Sequence, residues 1–431
     1  MNDDASHWLY HIELRGRGTS QVESLTGYIA RLASEHLLKP STLLHRGLEW
    51  WDTGKPEKVG AWSRRTTHLR LRAQVNGHHS AERWTELLER LSGVQNLKDA
   101  TINSWSHLFP QRHLIKAHHS WCPECYTEEN GGYDRLLWCL APVEVCPVHK
   151  CTLSTLCPDC HSLVPSLHAH SCPGICPKCR ASLACHEHAN LRNIQATGFQ
   201  LWAANAMASF LTEVNSGSFG ITKRCPAGSV IKRCMGLLQI EGLDALARYL
   251  DVAKTTAWSW YSDQVVPDLP NTLRICYIFG LSLSEALTGD FAFVAAAPST
   301  GPTPRVKRPT PRKIDDNALR SEIATLVAHY PNEALSLCRV AHHIGISPRV
   351  LRKHFPELCR HIARDHKRYT KERAMARQAK VKDEIRAAVE AEAREEASFT
   401  VKSVGRRLKQ PGTFRNPVAR GALEQLLLQP F

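Results

Sequence analysis

Pairs of metal-binding side chains separated by two residues are the feature that most constrains the fold of this chain. Such a turn presents two ligands to one tetrahedral ion without straining the backbone. Eleven of the 16 cysteines lie between Cys122 and Cys185, and in a reducing cytosol such a cluster indicates metal binding rather than disulfides. The pairs in this segment are Cys122 with Cys125, Cys146 with His149, Cys157 with Cys160, and Cys176 with Cys179.

The four pairs combine into two sets of four ligands. The first set follows the pattern C-x2-C-x20-C-x2-H and the second C-x2-C-x15-C-x2-C, and both patterns match closed structural zinc ribbons. We therefore expect two structural Zn²⁺ ions and no open position for a catalytic water. We call each pair of ligands, together with the two residues between them, a knuckle. In the second set Cys172 or Cys185 could replace a ligand, but the Cys176–Cys179 knuckle repeats the spacing of the Cys157–Cys160 knuckle. Cys139 and Cys151 have no partner at this spacing, and we expect them to be small core residues.

The positive charge of the chain is concentrated in its last third. Of a formal net charge of +14, residues 301–431 carry +13. A region this basic is typical of a polyanion-binding surface, and double-stranded DNA is the leading candidate. No run approaches the roughly 20 apolar residues of a membrane span, and the first residues lack the apolar core of a secretory signal. We expect a cytoplasmic, nucleoid-associated protein with no membrane partner.

The periodicity of apolar residues predicts a mainly α protein with helix-turn-helix domains toward the C-terminus. Its expected segments are a helical N-terminal domain (1–120), a double zinc ribbon (121–190), a helical domain (191–294) with a repressor-type helix-turn-helix (242–289), a proline-rich basic linker (295–313), and a basic DNA-binding region (314–431) with a second helix-turn-helix (335–356).

The first helix-turn-helix has a weakly charged recognition helix. We expect this helix to expose Lys254, Thr255, Thr256, Ser259 and Trp260, and the first four are candidate DNA contacts. Only one of the five side chains is cationic, so a degenerate module that contacts protein or RNA is the alternative. Affinity for DNA would then need phosphate contacts from elsewhere in the chain.

The second helix-turn-helix is strongly basic. Gly345 stands where the chain must turn, Ser347 is placed to cap the next helix, and Pro348 occupies its first position. This arrangement suits a helix in the major groove, where arginine contacts guanine and lysine reaches phosphate; a purely solvated helix is the alternative. The candidate DNA contacts are Arg349, Arg352, Lys353 and His354 on this helix, Arg360, Arg364, Lys367 and Arg368 on a long helix from Leu358 to about Ala393, and Arg406 and Arg407 near the end.

An ordered succession of motifs resembles the TniQ/TnsD family over roughly residues 8–180. The motifs are the stretch from Glu23 to Ala33, the Trp121-Cys122-Pro-Glu-Cys125 knuckle, the stretch from Tyr133 to Trp138, the stretch from Cys146 to Leu153, and Cys157-Pro-Asp-Cys160. This family selects target sites for transposons that pair a transposase with an AAA+ ATPase. One departure is Ser20-Gln21-Val22, where the family usually has a proline.

The resemblance implies an adaptor rather than an enzyme. No P-loop motif occurs, and no spacing of acidic residues indicates a magnesium site for DNA cleavage. We expect a DNA-binding adaptor that selects an insertion site and recruits an AAA+ ATPase of the TnsC/TniB type and the transposase. The alternatives are a TniQ-type adaptor that docks on a CRISPR effector complex in RNA-guided transposition, and a zinc-containing transcriptional regulator.

Overall fold

The fold is mainly helical, which confirms the fold class predicted from the sequence. β-structure in the part of the chain described below is limited to isolated bridges. The computed structural model describes residues 8–44, 75–77, 79–127, 132–184, 197–292, 294, 315–330, 334–394, 401–408, 414 and 417–427. The predicted linker over residues 295–313 lies outside these ranges.

In the described part of the chain before residue 140, the helices have 3 to 14 residues. They are α1 (Leu25–Glu35), α2 (Pro40–Thr42), α3 (His79–Ser92), α4 (Asn103–Ser106) and α5 (Leu136–Cys139), with a 3-10 turn at Leu97–Ala100. Ser24 caps α1, because its hydroxyl accepts a hydrogen bond from the Gly27 amide at 3.1 Å. Leu25, Ile29 and Leu32 follow at helical spacing and are fully buried, which fixes the face that α1 turns to the core.

The next group of helices contains the first helix-turn-helix. These helices are α6 (Gly198–Asn215), α7 (Ala227–Leu237), α8 (Gly242–Tyr249), α9 (Lys254–Tyr261), α10 (Leu269–Phe279) and α11 (Leu283–Thr288). The hydroxyl of Thr197 and the side chain of Gln200 form a capping box that starts α6. Gly280 ends α10 with a φ of 66°, a left-handed position that favours glycine.

The C-terminal region is built around one long helix. Its helices are α12 (Asp316–Ala328), α13 (Leu337–Ile344), α14 (Pro348–His354), α15 (Pro356–Arg394), α16 (Val401–Arg407) and α17 (Pro417–Leu427). Gly345 takes a φ of 73° between α13 and α14, and the Ser347 hydroxyl caps α14 by accepting from the Val350 amide at 3.3 Å. The glycine turn and the serine cap therefore lie at the residues predicted from the sequence.

Apolar side chains form three separate cores within the described residues. The first runs from Leu14 to Val294 and includes the buried cysteines and the tryptophans beside them. Trp105 packs edge-on against Phe210 of α6, with ring centroids 5.4 Å apart, so the N-terminal helices and α6 share this core. The predicted boundaries near residues 120 and 190 both fall within its range. The second core, from Leu319 to Ile362, and the third, from Ile385 to Leu423, both contain residues of α15.

The segment before α5 packs closely against α1 at Gly27, which makes this glycine sensitive to substitution. A Cβ atom there would lie 2.7 Å from the Cβ of Asp134, so Gly27→Ala must displace the segment that leads into α5. We expect a loss of about 1 to 3 kcal/mol in the free energy of unfolding. Thermal and denaturant unfolding, followed by circular dichroism, would measure it.

Gly236→Ala in α7 is the matched control. A Cβ at Gly236 meets nothing within 4 Å, so alanine should leave stability unchanged or raise it by up to about 1 kcal/mol through its better helix propensity. Equal effects of the two substitutions would show that the contact of α1 with Asp134 is looser than the structure indicates.

Candidate metal centres and nucleic-acid surface

The first set of predicted ligands meets in a compact cluster. The ligand atoms of Cys122, Cys125, Cys146 and His149 all lie within 4.8 Å of one another. The sulfurs of Cys125 and Cys146 are 3.7 Å apart, and His149 Nδ1 lies 3.2 Å from the Cys125 sulfur. Zinc-sulfur bonds of about 2.3 Å in a tetrahedron give a sulfur-sulfur distance of about 3.8 Å. This donor set therefore fits a tetrahedral zinc ion.

The second set forms a similar cluster from four cysteines. Cys157, Cys160, Cys176 and Cys179 also have their sulfurs within 4.8 Å of one another, with 3.5 Å from Cys157 to Cys179 and 3.8 Å from Cys160 to Cys176. Cys172 is buried but stands outside this group, with its sulfur 3.7 Å from the Ser34 hydroxyl. Cys185 lies outside the described residues. The two clusters could therefore hold two metal ions.

Three of the four knuckles share one backbone geometry. The amide of Cys146 donates to the Cys151 carbonyl, and the amide of Lys150, four residues after the knuckle begins, donates back to the Cys146 carbonyl, both at 2.8 Å. The knuckles that begin at Cys157 and Cys176 repeat this pair of hydrogen bonds. In each, the residue four positions on has a left-handed φ: 56° at Lys150, 50° at His161 and 66° at Arg180. This turn points both ligand side chains to one side.

A buried arginine contacts the first cluster directly. Arg135 is 6 % exposed, and its guanidinium donates to the Cys125 sulfur at 2.8 Å. Three thiolates and one divalent ion leave a net charge of −1, which the guanidinium offsets inside the core. The same guanidinium lies over the ring of Trp138 at 5.1 Å. The structure therefore places a cation beside the first metal centre, as in a hydrogen-bonded outer shell.

The two cysteines that have no partner at knuckle spacing, Cys139 and Cys151, have different surroundings. Cys139 is buried in the core, as predicted, and burial raises the pKa of its thiol to about 12. Cys151 was predicted to be a core residue, but it is only partly buried and its sulfur lies 3.4 Å from that of Cys122. The reason is the hairpin turn after Cys146, which returns the chain toward the cluster. Cys151 is therefore a neighbour of the first metal centre.

A half-buried lysine, whose ammonium group lies inside the core, braces the backbone behind the first cluster. Lys116 donates to the Ser120 hydroxyl at 2.8 Å, to the Trp138 carbonyl at 3.0 Å, and to the Val143 carbonyl. Burial lowers the pKa of its ammonium to about 8. Three acceptors around one ammonium group tie the segment before Trp121 to α5 and to the residues after it. These bonds hold in place the backbone that leads into the Cys122–Cys125 knuckle.

The first helix-turn-helix exposes a different side chain from the one predicted. Trp260 is only 5 % exposed, whereas Trp258 is 43 % exposed. The prediction for Trp260 was wrong, because Ala257 and Trp260 lie three residues apart on one helical face and both turn to the core.

The candidate contacts on α9 present little free charge. Lys254 and Thr255 are exposed, while Thr256 and Ser259 are half-buried. The Lys254 ammonium pairs with Asp244 at 2.9 Å, and the Ser259 hydroxyl donates to the Thr255 carbonyl at 2.7 Å. The exposed surface of α9 is therefore mainly neutral, with an aromatic ring at Trp258.

The second helix-turn-helix exposes three cations on α14. Arg349, Arg352 and Lys353 are exposed, and Leu351 faces the second core. His354 is half-buried, and its Nδ1 lies 2.9 Å from Asp316 of α12. Three of the four candidates on this helix therefore face outward.

The helix that follows α14 is a single helix of 39 residues. Arg364 and Lys367 are exposed, Arg360 pairs with Glu357, and Arg368 pairs with Asp365 at 3.0 Å. The candidates near the end of the chain differ from these. Arg407 pairs with the buried Glu392 of α15, which ties α16 to α15, and the side chain of Arg406 lies outside the described residues.

The TniQ family model matches residues 15–153. The chain carries a TniQ domain. This confirms the resemblance predicted from the motifs, and the matched range contains α1 and all four ligands of the first cluster. A comparison with curated proteins finds no match. The second cluster and the basic C-terminal region lie beyond the TniQ domain.

The TniQ domain is typical of transposition-associated adaptors, which work with the other components of a transposition machinery. Among the helices that the structure describes, none combines the length and the apolar character that crossing a membrane requires.

Sequence reasoning did not find Arg135, although it lies in a quoted motif of the TniQ domain. Arginine next to an aromatic run carries no metal-ligand spacing, and a single sequence gives no other sign that its guanidinium reaches a cysteine ten residues away. Asp159, inside the Cys157–Cys160 knuckle, was passed over for the same reason; its arginine partners lie more than 200 residues further along the chain.

Metal analysis of the purified protein should find two zinc ions per chain, one for each cluster. Removal with a strong chelator should unfold the segment from Cys122 to Cys179, because metal binding to a structural site provides folding energy on the order of 10 kcal/mol. Elemental analysis and hydrogen exchange would measure both. Absence of zinc, with exchange unchanged by the chelator, would contradict the assignment.

Arg135→Met should weaken zinc at the first cluster by about 10- to 100-fold, because the anionic centre loses the cation that offsets it. The second cluster in the same chain is the internal control and should keep its affinity. Competition with a chromogenic chelator, which resolves two release steps, would measure both sites. Arg135→Lys keeps the charge and should lose less affinity; equal weakening of both sites would assign Arg135 to general folding instead.

Proposed function

We propose that this TniQ-domain protein is a DNA-binding adaptor that selects a transposon insertion site and recruits the AAA+ ATPase and the transposase. The observation that carries the DNA-binding part is α14, a short helix that follows a glycine turn and exposes Arg349, Arg352 and Lys353. A helix of this kind fits the major groove, where arginine reads guanine.

The charge of the C-terminal region supports the same proposal. Its net charge of +13 would supply phosphate contacts, and these provide most of the affinity of a protein for DNA. Arg364 and Lys367 lie on the exposed surface of α15, which begins two residues after α14 ends. In this arrangement α14 reads bases and the first turns of α15 contact the backbone.

Both metal clusters have closed four-ligand sets, so a structural role for the two zinc ions is part of the proposal. The proposed activity is binding, with no catalytic step of its own.

Docking on a CRISPR effector complex is the second candidate. The neutral, aromatic surface of α9, with Trp258 exposed, suits contact with a protein better than contact with phosphates. The basic C-terminal region favours direct DNA reading, because an adaptor positioned by a guide RNA has less need of its own phosphate contacts. A zinc-containing transcriptional regulator would bind DNA in the same way but would not alter transposition.

Arg352→Ala should weaken binding to the preferred duplex by about 1 to 3 kcal/mol and relax base choice there, if Arg352 reads a guanine edge. Arg368→Ala is the matched control, since it also removes one positive charge. We expect it to weaken all sequences about equally and to lower the salt dependence by about one unit. Titrations of the full chain against a selected site and a random duplex would compare them.

Equal losses on both duplexes for both variants would remove α14 from its role as the reading helix. The adaptor part needs a separate assay: transposition reconstituted with the purified ATPase and transposase and no guide RNA. We expect insertions beside the selected site that Arg352→Ala redistributes. Insertions that appear only with a guide RNA would favour the CRISPR-docked adaptor, and unchanged transposition without the protein would favour the regulator.

A further inference from the structure

The second cysteine cluster contacts α15 through a residue inside its first knuckle. Asp159 stands between Cys157 and Cys160, and its carboxylate forms ion pairs with Arg373, at 2.5 Å, and with Arg377. Arg377 also donates to the backbone carbonyl of Cys179. The side chain of Asp159 is only 10 % exposed, so this pairing lies largely out of water. We call these contacts the Asp159 clamp.

The clamp lies on a stretch of α15 that neither small core covers. Between His366 and Ile385, no residue of this helix is buried, a distance of about five turns. The second core ends before this stretch and the third begins after it. Because this stretch buries no side chain, little packing fixes the direction of the helix there. Contacts in the middle of the stretch therefore have a large effect on where the helix points.

A second contact joins the same cluster to the helix-turn-helix. Arg339 of α13 is buried, and its guanidinium lies 2.5 Å from Nε2 of His161, the residue after the Cys157–Cys160 knuckle. Beside this contact is an open cleft of about 540 Å³, lined by Leu163 and Lys178 from the segment of the second cluster and by Arg352 and Arg360 from the C-terminal region. The segment of the second cluster thus contacts the C-terminal region at two polar points, one on α13 and one on α15.

The charges explain why the metal matters for these contacts. Four thiolates around one divalent ion carry a net charge of −2, and Asp159 adds one negative charge. Arg373 and Arg377 offset two of these charges, and the guanidinium of Arg377 reaches the backbone of a ligand residue. Without the ion nothing joins the four cysteines to one another, and the knuckle loses its fixed turn. The arginines then lose both the anionic cluster and the ordered carboxylate.

We infer that the metal-loaded second cluster is a docking surface for the C-terminal region, and that its metal ion sets the direction of α15 and of the helix-turn-helix at its start. Two arginines of the basic helix face are then engaged inside the protein and do not contact phosphate. The docking itself is independent of the proposed function; only its consequence for DNA reading rests on it.

Chemical cross-linking and hydrogen exchange on the full chain test the inference without DNA. Lys178 lines the cleft opposite Ala363 and His366, and Lys367 comes next along α15. A lysine-reactive cross-linker should join Lys178 to Lys367 in the zinc-loaded protein. Asp159→Asn should lower the yield about tenfold while both zinc ions stay bound, because it removes the charge that pairs with both arginines. The backbone amides of residues 369–380 should exchange faster as well.

Asp383→Asn is the matched control, since it removes the same charge from an exposed position on α15 whose nearest cation, Arg386, lies on the same helix. It should leave the cross-link yield and the exchange unchanged. Arg377→Gln changes no metal ligand and should reproduce the effect of Asp159→Asn, so it decides the outcome if Asp159→Asn loses zinc. Wild-type yields in both clamp variants would overturn the inference.

Metal removal completes the test. Stripping zinc from the wild-type chain should lower the cross-link yield and speed exchange in residues 369–380, although these residues provide no metal ligand, and adding zinc back should restore both. Unchanged yield and exchange after removal of both ions would show that the docking does not depend on metal. Loss of the clamp with DNA binding retained, or the reverse, separates this inference from the proposed function.

Discussion

The folded arrangement of this chain depends on the closure of two four-donor clusters. Each cluster joins two knuckles that are far apart in sequence, 20 residues in the first and 15 in the second, and brings their donor atoms to between 3.2 and 3.8 Å of one another. The first cluster lies within the large core, beside Trp121 and Trp138, which are among the most fully buried side chains. Loss of its geometry would therefore open the TniQ domain as well as the knuckles.

The two clusters differ in what surrounds them, and this difference matches their positions in the chain. The first lies inside the matched family range, and a buried arginine of the same domain contacts one of its sulfurs. The second lies beyond that range, and two arginines of the C-terminal helix contact the aspartate in its first knuckle. One cluster therefore meets a cation of its own domain, whereas the other meets cations of a distant segment.

Local sequence signals predicted much of this structure. The knuckle spacing selected all eight residues that the structure brings together, and the Gly345, Ser347 and Pro348 signals located the start of α14 to the residue. These features depend on contacts within a few residues or on a rigid short turn. The error at Trp260 came from the same kind of reasoning, because assigning the exposed face of an eight-residue helix requires knowing which neighbour covers it. Arg135, Cys151 and Asp159 could not be assigned, since their roles depend on where the chain returns in space.

The left-handed residues of the three similar knuckles have a consequence for the free energy of metal binding. Lys150, His161 and Arg180 carry side chains in a conformation that costs about 1 kcal/mol or more relative to glycine. Glycine at these positions would relieve that strain. With the residues present, the binding free energy of a metal ion would have to offset the strain of the three turns as well as bring the ligands together.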